Sequence, residues 1–336
     1  MATDDKLVLP VIDLANFPKE LEKLAAAATG LGCFRIVNHG MPPMLTEEMK
    51  AVTRSLFKLP AEAKLRSGND NIHTGGYVSS PELQFLESFS IYDASSMTDI
   101  RSFCTLLDTT TQQRCDFEII CAYIEKLHDV VINIAGKVAE SVGYILGGFS
   151  FDEWPCLARL NFFDFKVEED IGCIGAQPHT DSGFLSVLQE DVSVGGFEIM
   201  NSDGNFVSID PVPGTLIVNI GDVGKVWSNG RLQNVKHRVV CKEAKSRISI
   251  NMFLLAAKDD KRLPASGNRA GAGLAETGRW PPHRGWSPTP GGGGAAREDC
   301  ATARRRSKVR RPAAGDWSGG GIMHAAIGSC VRRFSP

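Results

Sequence analysis

The chain has 336 residues, 43% of them hydrophobic and 23% charged, with a formal net charge of −2. That is enough to bury an apolar core without cross-links. No window reaches the roughly eighteen uninterrupted apolar residues of a membrane span, and the start, Met1-Ala-Thr-Asp-Asp-Lys, lacks the basic and apolar blocks of a secretion signal. The nine cysteines are scattered and never form C-x-x-C, which argues against a zinc ribbon or a disulfide framework and makes a reducing cytoplasm the expected location.

In chain order, residues 15–30 read as a helix, with Leu21, Leu24 and Ala28 on one face and a glycine stop at Gly30. The run CFRIVNHG alternates Phe34, Ile36 and Asn38 against Arg35 and Val37, as a strand does. Helical spacing returns over Leu45–Phe57 and Cys115–Leu146, where Ile119, Tyr123, Leu127, Val131, Ala135 and Val138 recur every three or four residues. From Cys156 to Ala257 short β-rich runs follow one another: LARLNFF, GFLSVLQ, GFEIM, FVSI, TLIVNI, VKHRVVC and RISINMFL, divided by turn signals such as Ser202-Asp-Gly and Ser228-Asn-Gly. Strands at this spacing predict a double-sheet barrel of jelly-roll type carried on a helical N-terminal part, a mixed α/β (α+β) fold.

Residues 262–336 differ in kind. They hold thirteen of the 37 basic residues and four of the 39 acidic ones, a net +9 that leaves −11 on the rest, and 45 of their 75 residues are Gly, Ala, Pro or Arg. So few apolar side chains cannot offset the entropy of ordering the segment, so a disordered tail is expected. Its basic run, Arg304, Arg305, Arg306, Lys308, Arg310 and Arg311, would attract phosphates. No aromatic residues are interleaved with it, however, and solvated chain without a nucleic-acid partner is the expected state. The resulting division is 1–150, mainly helical; 151–261, the jelly roll; and 262–336, the low-complexity tail.

Chemistry concentrates in the strands. In Gln177-Pro-His179-Thr-Asp181 the imidazole and the carboxylate stand at i and i+2, which on a strand is one face. His237 lies 56 residues beyond Asp181, far enough for the chain to return to the same barrel mouth. Two histidines and one carboxylate on one side, with the remaining positions open, suit a non-haem Fe(II) centre that activates dioxygen. Arg247-Ile-Ser249 again shares a strand face, and a guanidinium beside a hydroxyl can grip the far carboxylate of a dicarboxylate co-substrate. By contrast, His39 in Asn38-His39-Gly40 reads as a turn residue, while His73 beside Gly75-Gly76 and His128 on the long helix carry no functional signal.

These motifs resemble the plant 2-oxoglutarate- and Fe(II)-dependent dioxygenases. The resemblance extends to Leu9-Pro-Val-Ile-Asp13-Leu14, Gly32-Cys-Phe-Arg-Ile-Val-Asn38-His39-Gly40, Phe57-Lys-Leu-Pro60, Asn219-Ile-Gly221-Asp222 and Trp227-Ser-Asn229-Gly230, and covers residues 8–260. Within the family, HTDSGFLSVLQED, VGGFEIM, WSNGRLQNVKHRV and ISINMFLLA are most like the dioxygenases for auxin oxidation. The resemblance implies a double-stranded β-helix with iron held by His179, Asp181 and His237. It implies 2-oxoglutarate bound by Arg247 and Ser249, with Asn161 of the Arg-x-Asn-x-Tyr motif close by. Phe163 stands where that motif has tyrosine, which costs one hydrogen bond of about 1 kcal/mol. The implied cofactors are Fe(II), 2-oxoglutarate and O2, with ascorbate as a stimulant. The implied reaction takes indole-3-acetic acid to 2-oxindole-3-acetic acid. Another small plant metabolite, such as a gibberellin or flavonoid, is an alternative substrate, and a catalytically impaired ligand-binding homologue is an alternative role. No membrane partner is expected. Where the family continues after residue 260 into helices that buttress the barrel, this chain enters its Gly/Ala/Arg/Pro-rich segment.

Overall fold

The computed structural model describes residues 7–68, 75–79, 83–107, 111–144 and 150–256. The expected tail, the basic run within it and His73 lie outside the described residues. Among the described residues, five helices come from the first half of the chain: α1 (Leu21–Thr29), α2 (Pro43–Phe57), α3 (Ala61–Leu65), α4 (Met97–Leu107) and α5 (Thr111–Ser141). The first is shorter than its periodicity predicts, because a 3-10 turn over Leu14–Asn16 takes up the start, with the Asp13 side chain accepting from the Ala15 N–H. Gly30 closes it as expected, its N–H donating to the Ala26 carbonyl at 2.9 Å. Helix α5 stops at Ser141, five residues early. Gly143 takes φ 80° there and the Tyr144 N–H turns back to the Ala139 carbonyl at 3.1 Å, a left-handed C-terminal cap.

Among the described residues, twelve strands form two sheets. In chain order they are β1 (Val11–Asp13), β2 (Cys33–Val37), β3 (Gly76–Ser79), β4 (Leu86–Tyr92), β5 (Cys156–Phe163), β6 (Ile174–His179), β7 (Leu185–Gln189), β8 (Phe197–Met200), β9 (Phe206–Ser208), β10 (Leu216–Ile220), β11 (His237–Val240) and β12 (Arg247–Leu254), with a short helix α6 (Asp222–Trp227) after β10. The larger sheet runs β1-β2-β10-β7-β12-β5-β4-β3 and the smaller β6-β11-β8-β9. The jelly-roll expectation holds, but the first 150 residues do more than carry helices. They supply four of the eight strands of the large sheet, with β2 paired to β10 and β4 to β5.

Period-two alternation sorts each strand of the large sheet into two faces. Phe34, Ile36, Phe89, Leu160, Val187, Val218, Ile248, Ile250, Met252 and Leu254 pack with Leu24, Val52, Phe103, Tyr123, Leu127 and Val131 of the helices in one core. The opposite face meets the small sheet through two separate apolar clusters. One joins Cys33, Leu188 and Ile217 to Phe197 and Ile199, and the other joins Phe163 and Leu86 to Ala176 and Val239. Polar side chains occupy the inner face between them. Arg35 illustrates why β2 cannot be sided from sequence alone: it alternates with Phe34 and Ile36 as expected, yet its own side is buried too. There it ion-pairs with Glu190 and donates to the Asp210 carbonyl at 2.6 Å. Cys33, Cys104, Cys121, Cys156 and Cys241 are free thiols. Cys173, against the expectation, is disulfide-bonded.

Candidate metal centre

His179 is the last residue of β6 and His237 the first of β11, and these antiparallel neighbours pair the two residues directly. The imidazoles therefore stand side by side, ring centroids 4.3 Å apart. Asp181 arrives differently from expectation. The strand ends at His179, and Asp181 sits two residues beyond it in an irregular turn. What positions it is α6, an element too short to leave a periodic signal. The Asp222 N–H donates to the Asp181 carbonyl at 2.8 Å, and the Val223 N–H donates to the Gly183 carbonyl at 3.1 Å. The approach requires glycine at 221, since a Cβ there would lie 2.2 Å from the Gly183 oxygen and 2.8 Å from the Asp181 oxygen.

Asp181 Oδ1 is 3.6 Å from His237 Nε2 and 3.8 Å from His179 Nε2, and one donor atom from each residue falls within 4.8 Å of the others. The remaining polar atoms are engaged elsewhere. His179 Nδ1 meets the Gln177 carbonyl at 2.7 Å and His237 Nδ1 the Val235 carbonyl at 3.3 Å, while Ser186 Oγ donates to Asp181 Oδ2. A proton on each Nδ1 leaves both Nε2 lone pairs available toward the carboxylate. Burial pushes the pKa of His237 down to about 4, opposed by Asp181 and reinforced by His179. It is therefore neutral near pH 7, as a ligand must be. Two imidazole nitrogens and one carboxylate oxygen can hold a single divalent ion on one side and leave its other positions open.

A second constellation lies deeper on the inner face. Across three neighbouring strands Ser88, Asn161 and Ser249 are in register. Ser88 Oγ donates to Asn161 Oδ1 at 2.7 Å, and Asn161 Nδ2 donates to Ser249 Oγ at 3.3 Å. One row away Arg247 pairs with Phe163, the guanidinium carbon 5.3 Å from the ring centroid. The sequence motif loses its tyrosine hydroxyl here but keeps a ring for the cation to rest on. Arg247 is 1% exposed, and its Nε and Nη1 have no hydrogen-bond partner. Burial lowers its pKa, with Glu190 and Asp191 opposing, and both acids are already taken, by Arg35 and by Lys50 with Arg54. A fully buried guanidinium with unmade bonds is costly until an anion completes it.

His39 has the turn role expected of it: its Nδ1 accepts from the Met41 N–H at 3.2 Å and its Nε2 lies 3.3 Å from the Gly214 carbonyl. His128 sits half-buried on α5. Sequence reasoning missed Ser186 and Ser88, although each is a hydroxyl at an inner position of an otherwise apolar strand, which is the signal that could have found them.

Residues 9–113 match the family described as the N-terminal region of non-haem dioxygenases in morphine synthesis, and residues 154–256 match the 2OG-Fe(II) oxygenase superfamily. The 2-oxoglutarate-dependent dioxygenase DAO of Oryza sativa, in both the indica and japonica subspecies, is 48% identical over 259 residues, 75% of this chain and 84% of the relative. The chain belongs to the 2OG-Fe(II) oxygenase superfamily. This oxygenase accordingly takes Fe(II) and 2-oxoglutarate. A gibberellin 2-beta-dioxygenase of rice stands further off, at 34% identity over 75% of the oxygenase and 73% of the relative. Among solved structures, the rice dioxygenase for auxin oxidation superposes with a TM-score of 0.69 at 46% identity, covering 75% of the oxygenase and 85% of that chain. The Arabidopsis thaliana dioxygenase for auxin oxidation 1, in its binary complex with 2-oxoglutarate, gives 0.70 at 41%, covering 75% and 94%.

Proposed function

We propose that this oxygenase converts indole-3-acetic acid to 2-oxindole-3-acetic acid, consuming O2 and 2-oxoglutarate and releasing succinate and CO2. The observation that carries the substrate is the 48% identity with the rice dioxygenases named DAO. In this reading His179, Asp181 and His237 hold Fe(II), a role their converging donors and occupied far sides fit. Arg247 and Ser249 hold the far carboxylate of 2-oxoglutarate, which supplies the partner that Arg247 Nε and Nη1 lack. Asn161 bridges Ser88 and Ser249 and fixes the hydroxyl that faces the keto acid.

When bound, Fe(II) supplies the redox chemistry that couples decarboxylation of 2-oxoglutarate to oxidation of the substrate. The residues of the chain position and insulate. Ser186 keeps one oxygen of Asp181 occupied, so a single oxygen is presented to the metal. Burial of Arg247 and Ser249 keeps water away from the co-substrate carboxylate and strengthens its ion pair. Purified protein given Fe(II), 2-oxoglutarate and indole-3-acetate is expected to form succinate and a product one oxygen atom heavier than the substrate. Succinate formation that indole-3-acetate leaves unchanged, but a gibberellin or a flavonoid stimulates, would transfer the reading to that metabolite.

A further inference from the structure

A second arginine shares the inner face with Arg247. Arg159 precedes Asn161 by two residues on β5 and so points to the same side, while Ala158 and Leu160 between them belong to the core under the helices. In register it lies between Ser90 and Asn251, and its Nε donates to Ser90 Oγ at 3.0 Å. Arg159 is half-buried, where Arg247 is sealed.

The surroundings of Arg159 are built for an aromatic acid. Across from it the Asn251 Oδ1 is buried without a partner, an acceptor still to be filled. The next row along the same face is Tyr92, Leu157 and Phe253, an apolar wall, and Phe253 is paired with Ser186, whose hydroxyl holds Asp181. With strands about 4.8 Å apart and about 3.3 Å per residue along them, the Arg159 and Ser186 backbones stand on the order of 12 Å apart. A guanidinium reaching inward from one side and a metal held on the other can therefore contact one small molecule.

We propose that Arg159 binds the carboxylate of the organic substrate, with Asn251 accepting a ring N–H or similar donor from the same molecule and Tyr92, Leu157 and Phe253 packing its ring. Two arginines on one face thus divide two acids between them: the sealed Arg247 takes the co-substrate, and the half-buried Arg159 selects small aromatic carboxylic acids as substrates. The inference rests on the oxygenase reading above and deepens it.

The test is calorimetric binding to full-length protein loaded with Mn(II) and 2-oxoglutarate, which does not turn over. The probes are indole-3-acetate, naphthalene-1-acetate and phenylacetate, each against its neutral amide. The wild type is expected to bind the acids at least about tenfold more tightly than the amides. Arg159→Leu should weaken the acids roughly ten- to hundredfold, leave the amides and 2-oxoglutarate unchanged and so erase the preference, and Arg159→Lys should fall between. Retention of the acid preference by Arg159→Leu overturns the assignment, as does a wild type that binds none of the three acids. A wild type that binds the acids through Arg159 yet never oxidises indole-3-acetate keeps the assignment and removes the auxin reading instead. If Arg159→Leu also loses 2-oxoglutarate, Arg159→Gln, which retains a donor for Ser90, decides by the same criterion.

Discussion

Replacing Arg247 with methionine separates binding from folding. The buried guanidinium has its Nε and Nη1 open, and a carboxylate closing both would form two charge-assisted hydrogen bonds at about 1.5–3 kcal/mol each. Taking the lower figure for both, the variant loses about 3 kcal/mol of 2-oxoglutarate binding, a weakening of roughly two orders of magnitude. The fold should tolerate the change. Glu190 keeps Arg35 and Asp191 keeps Lys50 and Arg54, so no buried acid is stranded, and methionine fills the space over the Phe163 ring. Removing a buried charge whose hydrogen bonds are incomplete leaves the ligand-free protein as stable as the wild type or more so. Arg247→Lys keeps the charge without the planar fork and should lie between. The assay is calorimetric titration of 2-oxoglutarate into Mn(II)-loaded protein, with a thermal melt of the ligand-free form beside it. A dissociation constant for Arg247→Met within threefold of the wild type, with the fold intact, would refute the clamp.

Four further outcomes follow from the same contacts. Ser186→Ala removes the hydroxyl on Asp181 Oδ2, and a Co(II) titration should show metal affinity reduced about 10- to 100-fold. Phe163→Tyr restores a hydroxyl in the Arg-x-Asn-x-Tyr position, and the KM for 2-oxoglutarate should fall about fivefold, the worth of one hydrogen bond of about 1 kcal/mol; an unchanged KM would show that the hydroxyl does not reach the co-substrate. Gly221→Ala forces a methyl against the Gly183 and Asp181 carbonyl oxygens, so metal binding should be lost while the helical signal in circular dichroism persists. The last concerns acid. Burial alone would raise the pKa values of Glu198 and Asp191, but the contacts to Lys242 and Arg238 on the first, and to Ser193 and Lys50 on the second, outweigh it and hold both below their ordinary values of 4.5 and 3.8. Their stabilisation is complete above those values and fades as pH falls through and below them. Denaturant midpoints should therefore drop between pH 5 and pH 3 in the wild type, and less steeply in Glu198→Gln.

The residues proposed as ligands were legible because their spacing is a strand property and their chemistry is rare: His179, Asp181 and His237 mark themselves, and Arg247-x-Ser249 follows the alternation of β12. The reason for their convergence was only half visible. Register, which sets His179 opposite His237, follows from pairing between strands distant in sequence, and no local pattern encodes it. Asp181 was expected on the strand and lies beyond its end, because backbone donors of the six-residue α6 capture the turn. Arg35 could not be sided from its own strand, since a second sheet covers the face that alternation alone leaves open. Strands β1, β3 and β4 were unread because they are only three to seven residues long and are held by pairing, β1 to β2, β3 to β4, and β4 to β5 about seventy residues further on. Arg159 passed unnoticed within the motif that named Asn161, because its meaning depends on which face of β5 the helices cover.

The most direct test of the metal centre is anomalous diffraction from a crystal of the Mn(II)- and 2-oxoglutarate-loaded protein. One ion per chain is expected, bonded to His179 Nε2, His237 Nε2 and Asp181 Oδ1, and none in Asp181→Ala. An ion held elsewhere, or the same peak persisting in that variant, would contradict it.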